Sequence, residues 1–163
     1  MTLTLGSTAF DNDQPIPSRH TCEGDNLSPA LVWSGVPDGT QTLALLVDDP
    51  DAPDPLAPTQ IFTHWVVYNI PPDGAGLLEN ADARGLPPGA RAGKNDFGEQ
   101  RWSGPCPPIG RHRYCFKLYA VDSPLPTTRP LSRTGLLDAL EGHVLAYAEL
   151  VGTYEKGQGS RPR

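Results

Sequence analysis

Three short segments hold the residues of this chain that could do chemistry. The stretch VDDPDAPDP at 47–55 contains four carboxylates, FTHWVV at 62–67 contains His64, and GPCPPIGRHRY at 104–114 contains His112. A carboxylate that accepts the N–H of an imidazole fixes the tautomer and the orientation of the ring. The sequence therefore indicates a polar site built from two histidines and an acidic group.

The acidic segment admits two interpretations. Asp side chains bond to their own backbone two residues on and prolines stiffen corners, which is typical of a turn whose carboxylates face water. In the other interpretation, Asp49 lies at the end of a buried strand and accepts the N–H of a histidine. The sequence leaves both interpretations open.

The two histidines differ in their surroundings. His64 lies within an apolar stretch, where a lone strand histidine is more often a core residue than a ligand. His112 follows the segment PCPP, whose prolines fix φ and donate no N–H. Gly104 and Gly110 let the backbone bend closely around a guest. We therefore expect this loop to form a rigid, largely apolar wall beside His112.

Three strands are expected to position these residues. LALLV at 43–47 is typical of a strand buried on both faces that stops at the following Asp-Asp-Pro turn. FTHWVVYNI at 62–70 is rich in β-branched and aromatic residues, and RYCFKLYAV at 113–121 alternates between two faces. The segment 71–112 between them has no sustained period, and so long a connection in a compact domain is often functional.

Near the C-terminus, an apolar pattern at three- and four-residue spacing predicts one amphipathic helix at about 135–151. Its apolar positions are Leu137, Leu140, Val144, Ala148 and Val151. Ser132 or Thr134 would cap its start, and Gly152 would end it. The tail at 155–163 is expected to fray.

The composition limits the classes of function. With 163 residues the chain should form a single domain, and its 17 glycines and 19 prolines favour a mainly β fold with many turns. The net charge of −6 provides no basic face that would attract nucleic acid at long range. The sequence contains neither a long apolar run nor a leader-like start, so we expect a soluble, cytoplasmic protein without stable membrane insertion.

The number of cysteines indicates the redox environment of the protein. Cys22, Cys106 and Cys115 are an odd number, which argues against a disulfide framework and is compatible with a reducing environment. A single bridge remains compatible with the sequence.

The chemistry-bearing segments also resemble a known family. DPDAP at 49–53, HWVVYNIP at 64–71 and GPCPPIGRHRY at 104–114 resemble, in order and spacing, the phosphatidylethanolamine-binding protein family, specifically its bacterial Raf kinase inhibitor-like branch. Further similar stretches are CEGDNLSPALVWSGVP at 22–37, GKNDFG at 93–98 and GHVLAYAELVGTY at 142–154. The resemblance spans roughly residues 5–155.

The resemblance implies a fold and a site. It implies a two-sheet antiparallel β-sandwich with a shallow pocket at one end, which in the family holds phosphate, acetate, cacodylate or a phosphorylated head group. The residues that match the family's pocket motifs are Asp49, Asp51, His64, Gly104, Pro105, His112 and Tyr114. The family needs no metal and no organic cofactor, its bacterial members resemble homodimers, and its eukaryotic members bind kinases and other signalling proteins. The sequence does not by itself transfer that kinase role to this chain.

We therefore hypothesise that the chain is not an enzyme and binds a small anionic or phosphorylated ligand. The imidazoles of His64 and His112 and the phenol of Tyr114 would donate to the ligand's oxygens, and a protonated imidazole makes charge-assisted bonds. Adjacent carboxylates raise imidazole pKa values, so affinity should increase as the pH falls from about 8 to 6. Asp51 would repel the anion unless it pairs with Arg113 or with the backbone.

Two other classes of function remain open. His64, His112 and an Asp are the ligand set of a metal enzyme with a two-histidine, one-carboxylate site. The chain is also compatible with a protein-interaction module, a protease or kinase inhibitor that acts through 71–112. The basic residues of that segment are Arg84, Arg91, Lys94, Arg101 and Arg111. A serine hydrolase using Ser103 or Ser34 is weaker, because the sequence has no G-x-S-x-G elbow.

Overall fold

The fold consists of two β-sheets, and a computed structural model describes it for residues 2–157. In chain order the elements are β1 (Thr4–Gly6), β2 (Gln14–Pro15), a 3-10 turn (Ser18–His20), β3 (Leu31–Ser34), β4 (Thr42–Ala52), β5 (Gln60–Ile70), β6 (Gly76–Leu77), α1 (Ala81–Arg84), β7 (Arg91–Ala92), β8 (His112–Val121), α2 (Arg133–Leu140) and β9 (Val144–Tyr154). The small sheet has the order β1-β3-β6, and the large sheet has the order β2-β9-β8-β4-β5-β7. Neighbouring strands are antiparallel except for the short β2–β9 pair. The predicted mainly β, two-sheet fold is confirmed.

The core lies between the two sheets, and a second apolar layer lies under α2. Leu43, Leu45 and Val47 of β4 pack into the main core, whereas Ala44 and Leu46 point to the other face. There they join an apolar cluster that includes Leu136 and Leu140 of α2. Both faces of LALLV are therefore buried, as the sequence predicted, because one face meets the small sheet's side of the core and the other meets a helix.

The acidic end of β4 is a strand and not a turn. β4 continues to Ala52, with register shifts against β5 after Val47 and after Asp49. Asp48 and Asp49 are 0% and 3% exposed, so the interpretation of water-facing carboxylates is wrong for both. Burial of a charge requires partners. For Asp48 they are Thr63 Oγ1 at 3.0 Å, Lys117 Nζ at 3.3 Å and Arg133 Nε at 3.0 Å.

The predicted C-terminal helix is present but much shorter than expected. α2 begins at Arg133 and ends at Leu140, with Ser132 as its N-cap, whose side chain accepts from the Gly135 backbone N–H. The prediction of a helix after Leu140 is wrong, because residues 144–154 form β9, which pairs with β8 along its whole length.

Gly152 is therefore not a helix stop. It sits in β9, where a Cβ atom would lie 2.5 Å from Ile16 Cγ1 and 2.7 Å from Phe10 Cε2. Only a residue without a side chain fits at this point of the core. The apolar positions 144, 148 and 151 follow helical spacing by coincidence, since Ala148, Leu150, Gly152 and Tyr154 also alternate along a strand and are buried.

The cysteines form the one bridge that the sequence left open. Cys22 and Cys106 are joined by a disulfide across 84 positions of sequence. Cys115 is a free, buried cysteine in β8, and burial raises the pKa of its thiol to about 11.

The connection 71–112 contains short elements of its own, namely β6, α1 and β7. Of the expected frayed tail, residues 158–163 lie outside the described residues. Between residues 2 and 157, the helices are too short to cross a membrane.

Candidate ligand-binding site

A small pocket opens where β4, β5 and β8 meet the loop before β8. Its volume is about 230 Å³, below the roughly 300–1,000 Å³ of sites for drug-sized ligands. Its walls are formed by Asp49, Ala52, Pro53, Gln60, Phe62, His64, Phe97, Cys106, Pro107, Pro108, His112 and Tyr114. The pocket therefore suits a guest the size of a head group.

Four of the seven predicted site residues line this pocket, and three do not. Asp49, His64, His112 and Tyr114 are in its walls. Asp51, Gly104 and Pro105 are buried nearby but support neighbouring segments instead. The tertiary structure thus brings all three sequence segments together, while it divides their residues between the walls of the pocket and its supports.

Asp49 and His112 form a buried pair at the base of the pocket. His112 Nδ1 lies 2.6 Å from Asp49 Oδ2, and the other ring nitrogen, Nε2, lies 2.8 Å from the backbone oxygen of Ile109. The second oxygen of Asp49 accepts the backbone N–H of Asp51 at 2.8 Å. Both nitrogens of His112 are therefore engaged inside the protein, and the ring joins β4 to the proline loop.

Asp51 is neutralised on the outside of the pocket. Arg113 donates to it from Nη2 at 2.9 Å, from Nε at 3.1 Å and from its backbone N–H at 2.8 Å. The Arg113 guanidinium lowers the pKa of Asp51, and burial opposes this only in part. Asp51 therefore pairs with Arg113 and with the backbone, the condition under which the sequence predicted that it would not repel an anion.

His64 is hydrogen-bonded to the backbone of Ser103, the residue just before the proline loop. Its Nδ1 donates to the Ser103 carbonyl at 2.6 Å, and the Ser103 N–H donates back to the His64 carbonyl at 3.3 Å. Burial lowers the pKa of His64, outweighing the nearby carboxylates. The expected net increase of this pKa is wrong, because the ring is only 4% exposed and burial outweighs the carboxylates.

Tyr114 contributes a hydroxyl without a protein partner. Its side chain packs edge-on against His64, with ring centroids 5.2 Å apart. Among the described residues, its hydroxyl is the one buried side-chain polar atom that makes no hydrogen bond. Burial strongly raises the pKa of this phenol, so it stays protonated and can donate.

Gly104 and Pro105 connect the proline loop to the chain's first loop. The Gly104 N–H donates to Asn26 Oδ1 at 2.8 Å, and the Pro105 carbonyl accepts the Cys22 N–H at 3.1 Å. A Cβ on Gly104 would collide with the His20 carbonyl. Together with the disulfide, these contacts hold in place the part of the pocket wall that Cys106, Pro107 and Pro108 form.

The sequence predicted the proline wall but missed the aromatic one. Cys106, Pro107 and Pro108 line the pocket, in agreement with a rigid apolar loop. Phe62 and Phe97 form the opposite wall, with ring centroids 4.8 Å apart. The alternation of β5 contained a signal for Phe62 and Gln60, since residues two and four before His64 share its face. For Phe97, the only signal was the resemblance of GKNDFG.

The metal-enzyme alternative finds no support in the site. Among residues 2–157, no three His, Cys, Asp or Glu side chains are close enough together to hold a metal ion. His112 has both ring nitrogens bonded to protein acceptors, so it offers no lone pair to a cation.

The basic residues of 71–112 are exposed, and three of the five have an acceptor within the protein. Arg101 pairs with Glu99 at 3.0 Å, and Arg111 lies 3.7 Å from Glu155. Arg84 donates to the backbone oxygen of Glu79 at 2.7 Å. The interaction-module alternative therefore gains no specific contact from the structure.

Comparison with known proteins agrees with the fold and the motifs. The family model described as phosphatidylethanolamine-binding protein matches residues 6–155. The chain belongs to this family. A protein of Methanothermobacter thermautotrophicus called UPF0098 protein is 49% identical over 156 residues, which cover 95% of this chain and 100% of that relative. A UPF0098 protein of Chlamydia muridarum is 41% identical, with 94% and 99% coverage.

Solved structures give the same result. A putative phosphatidylethanolamine-binding protein homologue from Chlamydia trachomatis is 40% identical and superimposes with a TM-score of 0.87, covering 95% of this chain and 98% of the other. The E. coli protein YbcL, described as a new member of the mammalian family, is 36% identical with a TM-score of 0.85 and coverage of 95% and 99%. The fold is thus one that suggests ligand binding.

Proposed function

We propose that the protein binds a small anionic or phosphorylated ligand in this pocket and acts as a binding protein rather than as an enzyme. The observation that carries the proposal is the buried, unpartnered hydroxyl of Tyr114 in the pocket wall. A buried polar group without a partner costs free energy, and a ligand oxygen that accepts its O–H recovers that cost.

The charges near the pocket support an anionic guest. Three buried carboxylates stand close by, but each has a protein partner: Asp48 with Lys117 and Arg133, Asp49 with His112, and Asp51 with Arg113. None of these three buried carboxylates therefore presents an unpaired negative charge to a ligand. Aromatic rings and prolines make up much of the remaining wall, where they exclude water and strengthen each hydrogen bond within.

Calorimetric titration with phosphoethanolamine and inorganic phosphate tests the proposal. We expect the native protein to bind, and Tyr114→Phe to bind about 10- to 100-fold more weakly, the usual range for a hydrogen bond to a charged group. Tyr119→Phe is the matched control, because Tyr119 lies on the same strand and is absent from the pocket walls. Absence of binding by the native protein, or an equal loss in both variants, would contradict the proposal.

The same variant separates binding from folding. Removing the Tyr114 hydroxyl takes away an unsatisfied buried group, so we expect Tyr114→Phe to unfold at the same or a higher denaturant concentration than the native protein. A loss of affinity without a loss of stability would therefore belong to the pocket itself.

The domain organisation, location, oligomeric state and regulatory role of the protein are further proposals. We propose a single-domain, cytoplasmic homodimer, with regulation of a kinase or another protein as a further role. Light scattering on the purified chain tests the dimer. Alkylation of free thiols in intact cells tests the compartment, because Cys22 and Cys106 would be alkylated in a reducing cytoplasm and protected in an oxidising one.

A further inference from the structure

The hydrogen bonding of His64 decides which of its nitrogens carries the proton. A carbonyl oxygen only accepts, so the short contact from Nδ1 to the Ser103 oxygen places the ring proton on Nδ1. The reciprocal bond from the Ser103 N–H to the His64 oxygen keeps the two residues in register. A neutral imidazole has one N–H, so Nε2 presents a lone pair. No described residue is hydrogen-bonded to Nε2.

The charged groups around the ring do not reverse this assignment. Nearby carboxylates raise the His64 pKa in part, but burial lowers it by more, so the folded ring is neutral near pH 7. The titratable groups that face the ring are Asp48 and Asp49 on β4, Tyr114 and His112 on β8, and Asp96 in the segment after β7. Nε2 of His64 is therefore a hydrogen-bond acceptor toward the pocket at neutral pH.

Among the buried residues that line the pocket, one acceptor and one donor are unpaired, and the amide of Gln60, which also lines the pocket, is exposed. The donor is the hydroxyl of Tyr114, whose ring packs against the His64 ring. His112 offers nothing further, since both of its nitrogens are bonded to protein oxygens. A guest that satisfies both free groups must bring an acceptor oxygen for Tyr114 and a proton for His64.

We infer that the pocket selects oxyanions that carry a proton, namely inorganic phosphate and the protonated form of phosphate monoesters, over sulfate and phosphate diesters. This inference rests on the proposed function and narrows its ligand class. The P–OH group of the guest donates to His64 Nε2, and a second phosphate oxygen accepts from Tyr114. Sulfate and the phosphate group of a diester carry no proton, so one of their oxygens would face the lone pair of Nε2 with no hydrogen between them.

The two classes of phosphate occur in cells in different forms. Inorganic phosphate keeps at least one proton throughout the neutral range, whereas a monoester loses its second proton with a pKa near 6. The head group of an intact phospholipid is a diester and has no such proton. The site is therefore suited to free phosphate or to a soluble monoester in its protonated form, and it disfavours the phosphate group of a diester.

Titration of the native protein with four probes at pH 7.0 tests the inference. The probes are inorganic phosphate, methyl phosphate, sulfate and dimethyl phosphate, none of which has a hydrogen-bond donor other than a P–OH group. We expect sulfate and the diester to bind about 10- to 100-fold more weakly than phosphate, the range for leaving a buried acceptor unpaired. As the pH falls from about 7.5 to 6, methyl phosphate should gain affinity because it takes up its proton.

Substitution of His64 assigns the discrimination to its ring. His64→Gln places an amide that can turn its N–H toward the guest, so we expect the preference for phosphate over sulfate to fall at least about fivefold. His143→Gln is the matched control, since His143 is an exposed histidine in the turn before β9. Thermal unfolding of both variants checks that they are folded.

The outcomes separate this inference from the proposal beneath it. Sulfate binding within twofold of phosphate overturns the proton requirement while leaving anion binding intact. An unchanged phosphate-to-sulfate ratio in folded His64→Gln also overturns it. Failure of all four probes to bind the native protein removes the proposed function and the inference with it.

Discussion

Asp49 Oδ2 lies only 2.6 Å from His112 Nδ1, and the other ring nitrogen, Nε2, lies 2.8 Å from the Ile109 carbonyl oxygen. Both ring nitrogens thus meet an acceptor. A carbonyl oxygen only accepts, so Nε2 carries a proton toward Ile109, and one further proton lies between Nδ1 and Asp49 Oδ2. The pair joins the proline loop to β4, so we expect His112 to position the pocket rather than to contact the ligand.

Asp49→Asn should strongly destabilise the protein. Removing one partner of a buried hydrogen-bonded pair leaves the other unsatisfied, which costs about 1–3 kcal/mol, and more for a charged group. Asp54→Asn is the control, because the Asp54 carboxylate accepts only a local backbone N–H, that of Leu56, in a surface turn. Urea unfolding of both variants checks this, and a cost for Asp49→Asn no larger than that for Asp54→Asn would contradict the buried pair.

The lowered pKa of His64 predicts a pH dependence of stability. The folded ring resists protonation, whereas the unfolded ring accepts a proton below its ordinary pKa of 6.5. The unfolded state therefore binds more protons, and the His64 contribution is full above pH 6.5 and is lost as the pH falls toward the folded pKa. NMR titration of the His64 ring should give a midpoint below 6.5. A midpoint above that value would contradict the dominance of burial.

Gly152→Ala should destabilise the fold by about 1–3 kcal/mol, the range for overpacking a core. The added methyl group would meet Ile16 and Phe10 at under 3 Å. Gly6→Ala, in β1, is the matched control, because its nearest neighbour would be Val32 Cγ2 at an ordinary 3.8 Å. If Gly152 ended a helix on the surface instead, the two variants would unfold at similar denaturant concentrations.

Loss of the disulfide should destabilise the protein by about 2–4 kcal/mol, since the bridge closes a long loop in the unfolded chain. We expect this for the Cys22→Ser, Cys106→Ser double variant in guanidinium unfolding. Cys115→Ser tests a different effect, because it places a hydroxyl in a buried strand position without closing or opening a loop. A reducing agent should reproduce the first effect in the native protein and leave the double variant unchanged.

The sequence by itself determined the central strands and the proline wall of the pocket. LALLV, FTHWVVYNI and RYCFKLYAV have compositions that favour a strand whatever surrounds them, and each is a strand in the structure. The proline loop was also readable, because fixed φ values and missing N–H groups are properties of the residues themselves. The motifs also predicted that Asp49, His64, His112 and Tyr114 lie together, and all four line one pocket in the structure.

Only the tertiary structure decided what the C-terminal segment becomes. Residues 144–154 contain apolar positions at both helical and strand spacing, so local pattern could not choose between the two. The segment forms a strand because its backbone groups pair with the edge of β8, from Val121 back to His112. Pairing between distant segments satisfies hydrogen bonds that no local rule can see.

The chemistry of the histidines was likewise decided in three dimensions. Carboxylates near an imidazole raise its pKa and burial lowers it, so the sign at His64 depends on depth and distances that a sequence does not contain. The occupation of both His112 nitrogens depends on the path of the loop that brings the Ile109 carbonyl back to the ring. Residue types determine which hydrogen bonds are available, whereas the packed fold determines which of them remain for a ligand.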